Sequence, residues 1–267
     1  MPDYENIQDN NYIYPDAGEA LTISLIGETE PYPGYWEASE TGVLDRAIKI
    51  IKKKYQNGTF LDVGCGFGRL ILKFSPHFQT ICGLEPDKGR YEVCRKNINN
   101  WGLAEKVKLL NGSVELLQEH NAYDVILCSH VIQHIPENTA NTLLKEFRKL
   151  LKKDGLLVLT TSHSKSNKDI YYKSYFNSEN KRVEEAISKS EFNITENTSG
   201  ILPIKMYTSE SLMHLLQKNK FHVDEIRVYH DDRGFMLIDK LIGTDTLANS
   251  FSGLKNKRGR DICVIAR

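Results

Sequence analysis

The stretch "FLDVGCGFGRL", Phe60 to Leu70, decides the fold. A short apolar run leads into Gly64, Gly66 and Gly68, and apolar residues then resume at helical spacing with Leu70, Ile71 and Phe74. This reads as a strand over residues 59–63, a bare turn, and a helix starting near Phe67. Such a turn lets a ligand lie against the main chain at a helix N-terminus. The dinucleotide pattern G-x-G-x-x-G wants its third glycine where Arg69 stands, so the turn fits NAD poorly.

The same rhythm extends outward. Upstream, "ASETGVLDRAIKIIKKKY" sets Leu44, Ile48, Ile51 and Tyr55 on one helical face, and Asn57-Gly58 stops it. Downstream, "TICGLE" reads as a strand, followed by a helix with Tyr91, Cys94, Ile98 and Trp101. "KVKLLNG" and "YDVILCS" are the third and fourth strands. A helix with Leu143, Leu144, Phe147, Leu150 and Leu151 follows, ending at Asp154-Gly155, before the fifth strand "LLVLTT". Strands alternating with helices predict a doubly wound, mostly parallel α/β sheet. The alternation breaks after His163, where residues 164–207 are polar, asparagine-rich and dotted with aromatics. A structureless loop of that length is unusual, so an inserted helical cap or lid is expected. A helix over 208–220, the strand "FHVDEIRVYH", an irregular stretch and a last strand "DICVIAR" complete the sheet. The expected organisation is an extension and helix over 1–55 covering the site, a core over 56–163, the insertion over 164–207, and the rest of the sheet over 208–267.

Composition narrows the function classes. Lysine plus arginine and aspartate plus glutamate each number 35, so no global field favours nucleic acid or anionic membrane. No apolar run reaches the roughly 20 residues of a membrane helix, and the polar, acidic N-terminus does not resemble a signal peptide. The five cysteines form no CxxC pair and read as buried thiols, in keeping with a cytoplasmic location.

Together, "FLDVGCGFGRL", the acid of "GLEPD", "NGSVELL" and "YDVILCSHVIQHIPE" resemble the class I S-adenosylmethionine-dependent methyltransferase family. The resemblance runs from about Thr59 to His163 and resumes at "YTSESLMHLLQKNKFHVDEI". It implies a seven-stranded Rossmann-like methyltransferase fold with S-adenosylmethionine as cofactor. By that resemblance Gly64, Cys65 and Gly66 lie against the methionine part, and Asp62 orients its ammonium group. Glu85, about twenty residues past the first glycine, receives the ribose hydroxyls, and Pro86 stiffens its loop. Ser113 and Val114 fall at the adenine edge, where many members carry an aspartate. Asp124, opening the fourth strand, is expected to tie loops together.

Ser129 and His130 emerge where ligands of open α/β sheets bind. His130 is the first candidate for a general base and His163 the second, since histidine titrates near neutrality. His134 could share the face of His130 and is a candidate for contact with the acceptor, but no third ligand accompanies the pair and no metal is expected. Tyr35 and Trp36, with Tyr32 before them, and Tyr171, Tyr172, Tyr175 and Phe176 in the insertion, are candidates for contact with the acceptor. The favoured function is methylation of a small, apolar or aromatic molecule. Protein, peptide or RNA methylation is the alternative, although the Asn/Asp-Pro-Pro-aromatic sequence of amino-group base methylators is absent after strand four. An oxidoreductase and a non-catalytic cofactor-binding protein are disfavoured. The acceptor, the atom methylated and the oligomeric state are not legible.

Overall fold

The computed structural model describes residues 34–179, 181–195 and 201–267. Tyr32 and the rest of the expected extension up to residue 33 lie outside them. The first helix, α1 (Tyr35–Lys54), begins three residues before the predicted start. It leads into β1 (Gly58–Val63), α2 (Arg69–Phe74), β2 (Phe78–Glu85), α3 (Lys88–Asn100), β3 (Val107–Asn111) and β4 (Tyr123–Ser129). Then come α4 (Glu137–Leu150) and β5 (Leu151–Ser162). The helix α4 stops earlier than Asp154-Gly155, because the amides of Asn121 and Ala122 take its last carbonyls at Lys149 and Leu150, each at 2.9 Å.

Seven strands form one sheet in the order β3-β2-β1-β4-β5-β10-β9, with β9 (Val223–Tyr229) and β10 (Asp261–Ala266) closing it. The strands β1 to β5 are parallel, whereas β10 runs antiparallel to both β5 and β9. That reversal brings the start of β10 and the end of β9 to the carboxyl edge of the parallel strands, since Asp261 pairs with both Ser162 and Tyr229.

Both faces of the sheet are buried. On one, Leu61, Leu157 and Leu159 meet Leu143, Leu144 and Phe147 of α4 and Leu212 and Leu216 of α6 (Ser209–Lys218). On the other, Phe60, Leu156 and Val158 meet Leu44, Ile48 and Ile51 of α1 and Ile71 and Phe74 of α2. The alternation of successive residues between faces explains the continuous apolar runs of these strands.

Asp124 ties the bottom of the sheet together. Its carboxylate accepts from the Thr59 amide at 2.8 Å and from Lys152 at 2.7 Å. Burial alone would push its carboxyl up, but Lys152 and Thr59 outweigh it and hold it below the usual carboxylate range. The stabilisation is therefore present above the unfolded value and is lost as pH falls through the lower folded one. Asp124→Ala should cost about 1–3 kcal/mol at pH 7. Urea unfolding at pH 7 and pH 3 tests this, and an equal cost at both would contradict it.

The insertion is not the helical cap expected. Its strands β6 (Ile170–Phe176), β7 (Arg182–Ala186) and β8 (Ile201–Met206) make a separate antiparallel sheet in the order β7-β6-β8. The run of Tyr171, Tyr172, Tyr175 and Phe176 favours a strand. Among the described residues of the insertion only the short α5 (Lys189–Ile194) is helical, and it buries Phe192 against Tyr171. Lys205 of β8 anchors this sheet to the core, buried between Glu137 at 2.6 Å and Asp169 at 3.0 Å. The stretch before the last strand holds three short helices, α7 (Met236–Ile242), α8 (Thr246–Ser250) and α9 (Ser252–Lys255).

Candidate cofactor and acceptor site

The turn after β1 is built for close approach. Gly64 and Gly66 have φ of 72° and 56°, in the region glycine tolerates best. A methyl group on Gly64 would lie 2.4 Å from Val131 Cγ2, whereas one on Gly66 would meet only Arg90 Nη1 at 3.9 Å. The first glycine is thus needed for packing, and the second leaves space above the main chain. Arg69, where a dinucleotide fold has glycine, forms a two-pronged pair with Glu40 of α1, fastening that helix beside the turn.

Two carboxyls lie beneath and beside the turn. Asp62 is buried, and its Oδ2 has no hydrogen-bond partner. Burial first, and the neighbouring Glu85 second, push its carboxyl up to about 7, with Arg69 acting the other way. Glu85 is also raised, by burial above all. Its Oε2 accepts from the Gly66 amide at 2.8 Å and its Oε1 from the Asp87 amide at 3.0 Å. A carboxylate has about four acceptor positions, so two remain for ribose hydroxyls. An orphaned buried acid oxygen beside an uncovered turn fits a ligand carrying an ammonium group. The residues present therefore fit S-adenosylmethionine.

The other residues expected at the cofactor are distributed along the same edge. Cys65 is buried with its Sγ 3.9 Å from Cys94 Sγ. The Pro86 carbonyl accepts from Asn111 at 3.1 Å, bracing the loop after Glu85. Ser113 precedes a single 3-10 turn in which Val114 is buried. The Ser129 hydroxyl lies 2.8 Å from that of Thr160.

His130 occupies a left-handed backbone position, φ 56°, uncommon for a residue other than glycine. Its neighbours fix its tautomer. Gln133 Oε1 accepts from the Ser162 amide at 2.7 Å, so it must also accept from His130 Nδ1 at 3.1 Å. His130 Nε2 is then free to accept from the Tyr229 hydroxyl at 3.1 Å. Gln133 Nε2 donates to His134 Nε2 at 3.1 Å, and His134 Nδ1 donates to the Pro203 carbonyl at 2.9 Å. His134 is buried, and burial pushes its imidazole down to about 4. It joins the β4 loop to the insertion instead of facing an acceptor.

The remaining expected residues divide. Tyr35 is fully buried and its hydroxyl donates to Asp245, so it belongs to the core and not to an acceptor surface. Trp36 lies edge-on to His230, ring centres 4.4 Å apart, beneath the Arg260 guanidinium at 4.9 Å. Tyr171 donates to Glu137 at 3.1 Å and faces α5. Tyr172, next along the strand, points to the opposite face, where burial first, and the charge of Glu184 second, push its phenol up to about 12. Tyr175 reaches Glu185 at the surface. His163 is buried, with Nδ1 3.1 Å from each of the carbonyls of Arg258 and Gly259. That position does not bring it to His130.

Sequence reasoning missed three neighbours of His130. Tyr229 ends β9, and His230 follows it. Asp261 starts β10, with its carboxylate 2.6 Å from His230 Nδ1 and 3.9 Å from His130 Nδ1. Burial pushes the Asp261 carboxyl up, but the two histidines and Arg260 outweigh it and hold it below the usual range. His230 Nε2 faces the Trp36 carbonyl at 3.0 Å, so both ring nitrogens face acceptors. The signal lay in the polar ends of "RVYH" and "DICV", which become neighbours only because β10 is antiparallel. Among the described residues no group of three His, Cys, Asp or Glu could hold a metal ion.

Residues 60–155 match the sequence model of a family described as "Methyltransferase domain". They form a class I S-adenosylmethionine-dependent methyltransferase domain. A ubiquinone biosynthesis O-methyltransferase of Pelagibacter ubique (strain HTCC1062) is 30% identical over 122 residues, covering 46% of this chain and 49% of that protein. A sterol 4-C-methyltransferase of Caenorhabditis elegans is 24% identical over 122 residues, covering 43% and 36%. The chain thus spans about half or less of the length of these curated relatives. The methyltransferase fold extends further than the sequence match. A Clostridium acetobutylicum S-adenosylmethionine-dependent methyltransferase superposes with a TM-score of 0.60 at 12% identity, covering 94% of this chain and 97% of that one. A 1,6-didemethyltoxoflavin-N1-methyltransferase of Burkholderia thailandensis gives 0.56 at 13% identity, covering 99% and 97%. No helix of the described residues is long and apolar enough to cross a membrane.

Proposed function

We propose that this protein is an S-adenosylmethionine-dependent methyltransferase acting on a small-molecule acceptor. The observation that carries the reading is the orphaned Asp62 Oδ2 beside the glycine turn, with Glu85 at the neighbouring strand end. S-adenosylmethionine, when bound, supplies a methyl group activated by a sulfonium. Asp62 holds the ammonium group of the methionine part, Glu85 the ribose hydroxyls, and the turn the main-chain contacts. Ser113 and Val114 border the adenine, and the insertion over 164–207 covers the acceptor through Tyr172. An acceptor hydroxyl or other acidic group loses its proton to His130 Nε2, which first parts from the Tyr229 hydroxyl. The named activities of the ubiquinone and sterol relatives support a small acceptor.

Calorimetry with S-adenosylhomocysteine and with NAD tests the cofactor, and only the first should bind. Glu85→Ala should weaken that binding by about 1.5–3 kcal/mol, the scale of charged hydrogen bonds. Unchanged affinity would remove Glu85 from the site. Labelled S-adenosylmethionine incubated with fractionated extract should deliver label to small molecules. Label confined to RNA or to protein would overturn the acceptor class.

A further inference from the structure

A surface helix normally turns its apolar side chains inward, and α7 does the reverse. Its one buried residue is the acid Asp239, whose Oδ2 accepts from the Phe235 amide at 2.8 Å. Met236, Leu237, Ile238, Leu241 and Ile242 are all exposed, with Lys240 among them. Leu237 is 74% exposed and Leu241 83%. Four residues apart, these two share the face opposite Asp239, and Lys240 lies on the flank of that face. Phe235, also exposed, extends it at the N-terminal end. A contiguous apolar patch of this kind marks a surface for an apolar partner.

The exposed charges of this region have one sign. From Arg233 to Arg260 the basic residues are Arg233, Lys240, Lys255, Lys257, Arg258 and Arg260, and the acids are only Asp239 and Asp245. Both acids are buried, Asp245 accepting from the hydroxyls of Tyr35 and Ser39. Arg233, Lys240, Lys257 and Arg260 are exposed. Asp232, just before the region, is already paired with Lys165. The Arg258 guanidinium lies 5.7 Å from the centre of the Phe235 ring, which brings the basic loop between α9 and β10 against the start of α7. Arg260, two residues on, covers Trp36 beside His230, so the face adjoins the acceptor side. The balanced total charge of the chain conceals this local excess.

We propose that α7 docks on the surface of an anionic lipid bilayer, with Leu237 and Leu241 entering the acyl region. Charge complementarity carries the choice of partner. Lys240 can lay its stem along the apolar face while its ammonium reaches the lipid phosphates, and the basic loop after α9 adds to the attraction. A helix of seven residues is about 10 Å long, so it lies in the interface and does not cross the bilayer. Lipid suits this face better than protein does. The exposed apolar side chains of α7 offer no hydrogen-bonding group, and acyl chains require none, whereas protein interfaces carry about one hydrogen bond for each 100–200 Å². A second copy docked face to face about a two-fold axis would set the basic residues against themselves.

The test uses the full chain with vesicles of phosphatidylcholine alone and of phosphatidylcholine mixed with phosphatidylglycerol. Co-sedimentation should show binding to the mixed vesicles, weakened by added salt and much weaker on phosphatidylcholine alone. Leu237→Ser and Leu241→Ser should each weaken it by roughly tenfold. Lys240→Gln should weaken it by about fivefold on the mixed vesicles only. Each variant changes an exposed side chain, so each should keep the wild-type melting temperature. No binding to mixed vesicles, or binding that both leucine variants leave unchanged, would overturn the proposal. A dimer that the leucine variants dissociate, found in place of vesicle binding, would assign the face to a second copy. A lowered melting temperature in the leucine variants would assign it instead to another segment of this chain, such as the acid-rich residues before Tyr35. None of these measurements reads the cofactor, so failure here would leave the methyltransferase reading standing.

Discussion

Asp62→Asn should stabilise the ligand-free protein above about pH 7 while costing it cofactor affinity. The sign follows from the direction of the shift. The folded carboxyl titrates at about 7, raised from 3.8 by burial and by Glu85. The folded state therefore holds a proton that the unfolded chain gives up. The penalty starts as the unfolded group ionises above about 4, grows with pH, and is complete above about 7. Asparagine removes it. The gain at pH 8 should be on the order of 2–4 kcal/mol, and near zero at pH 3.5. Binding should move oppositely, because a cationic ammonium prefers the ionised acid. Affinity for S-adenosylhomocysteine should rise with pH toward about 7, then fall as the ligand's own amine deprotonates near 8. Asp62→Asn should lose the rising limb and bind roughly 10–100-fold more weakly. Thermal unfolding and calorimetry across pH 4–9 measure both effects. A variant whose gain over wild type is no larger at pH 8 than at pH 4, or a wild type without the rising limb, would refute the role given to Asp62.

The sheet was legible because its strands are buried on both faces and its glycine turn is unambiguous. The run from Phe60 to Leu70 gives strand, turn and helix without help from elsewhere. The insertion was misread because its length, and not any period, suggested helix. Tyr171 and Tyr172 stand side by side in sequence but face opposite ways, as only a strand allows. The acceptor side was legible only in part. His130 could be found from the end of the fourth strand. Its partners Tyr229 and Asp261 come from strands whose direction the sequence pattern does not state, and they lie far along the chain. Tyr35 illustrates the converse. An aromatic beside a site looks like a contact residue until its hydroxyl is found bound to Asp245 inside the core.

His130→Ala should lower turnover by roughly 10²–10⁴-fold, the usual contribution of a positioned base, with cofactor affinity little changed. The expectation rests on one lone pair. His130 Nδ1 is committed as a donor to Gln133, so Nε2 is the basic atom, and it accepts from Tyr229. Tyr229 is fully buried and burial pushes its phenol well above the usual range, so it remains a hydroxyl and does not take the acceptor's proton itself. Tyr229→Phe leaves Nε2 without its donor, and it should keep turnover within a few-fold of wild type if His130 is the base. His130→Asn is the cleaner inactive variant, because asparagine tolerates the left-handed backbone at φ 56° better than alanine. It can hydrogen-bond but cannot accept a proton near neutrality, so it should be as slow as alanine. Near-normal turnover in both would remove His130 as the base. The acceptor would then be a nucleophile that needs no deprotonation, such as a neutral amine.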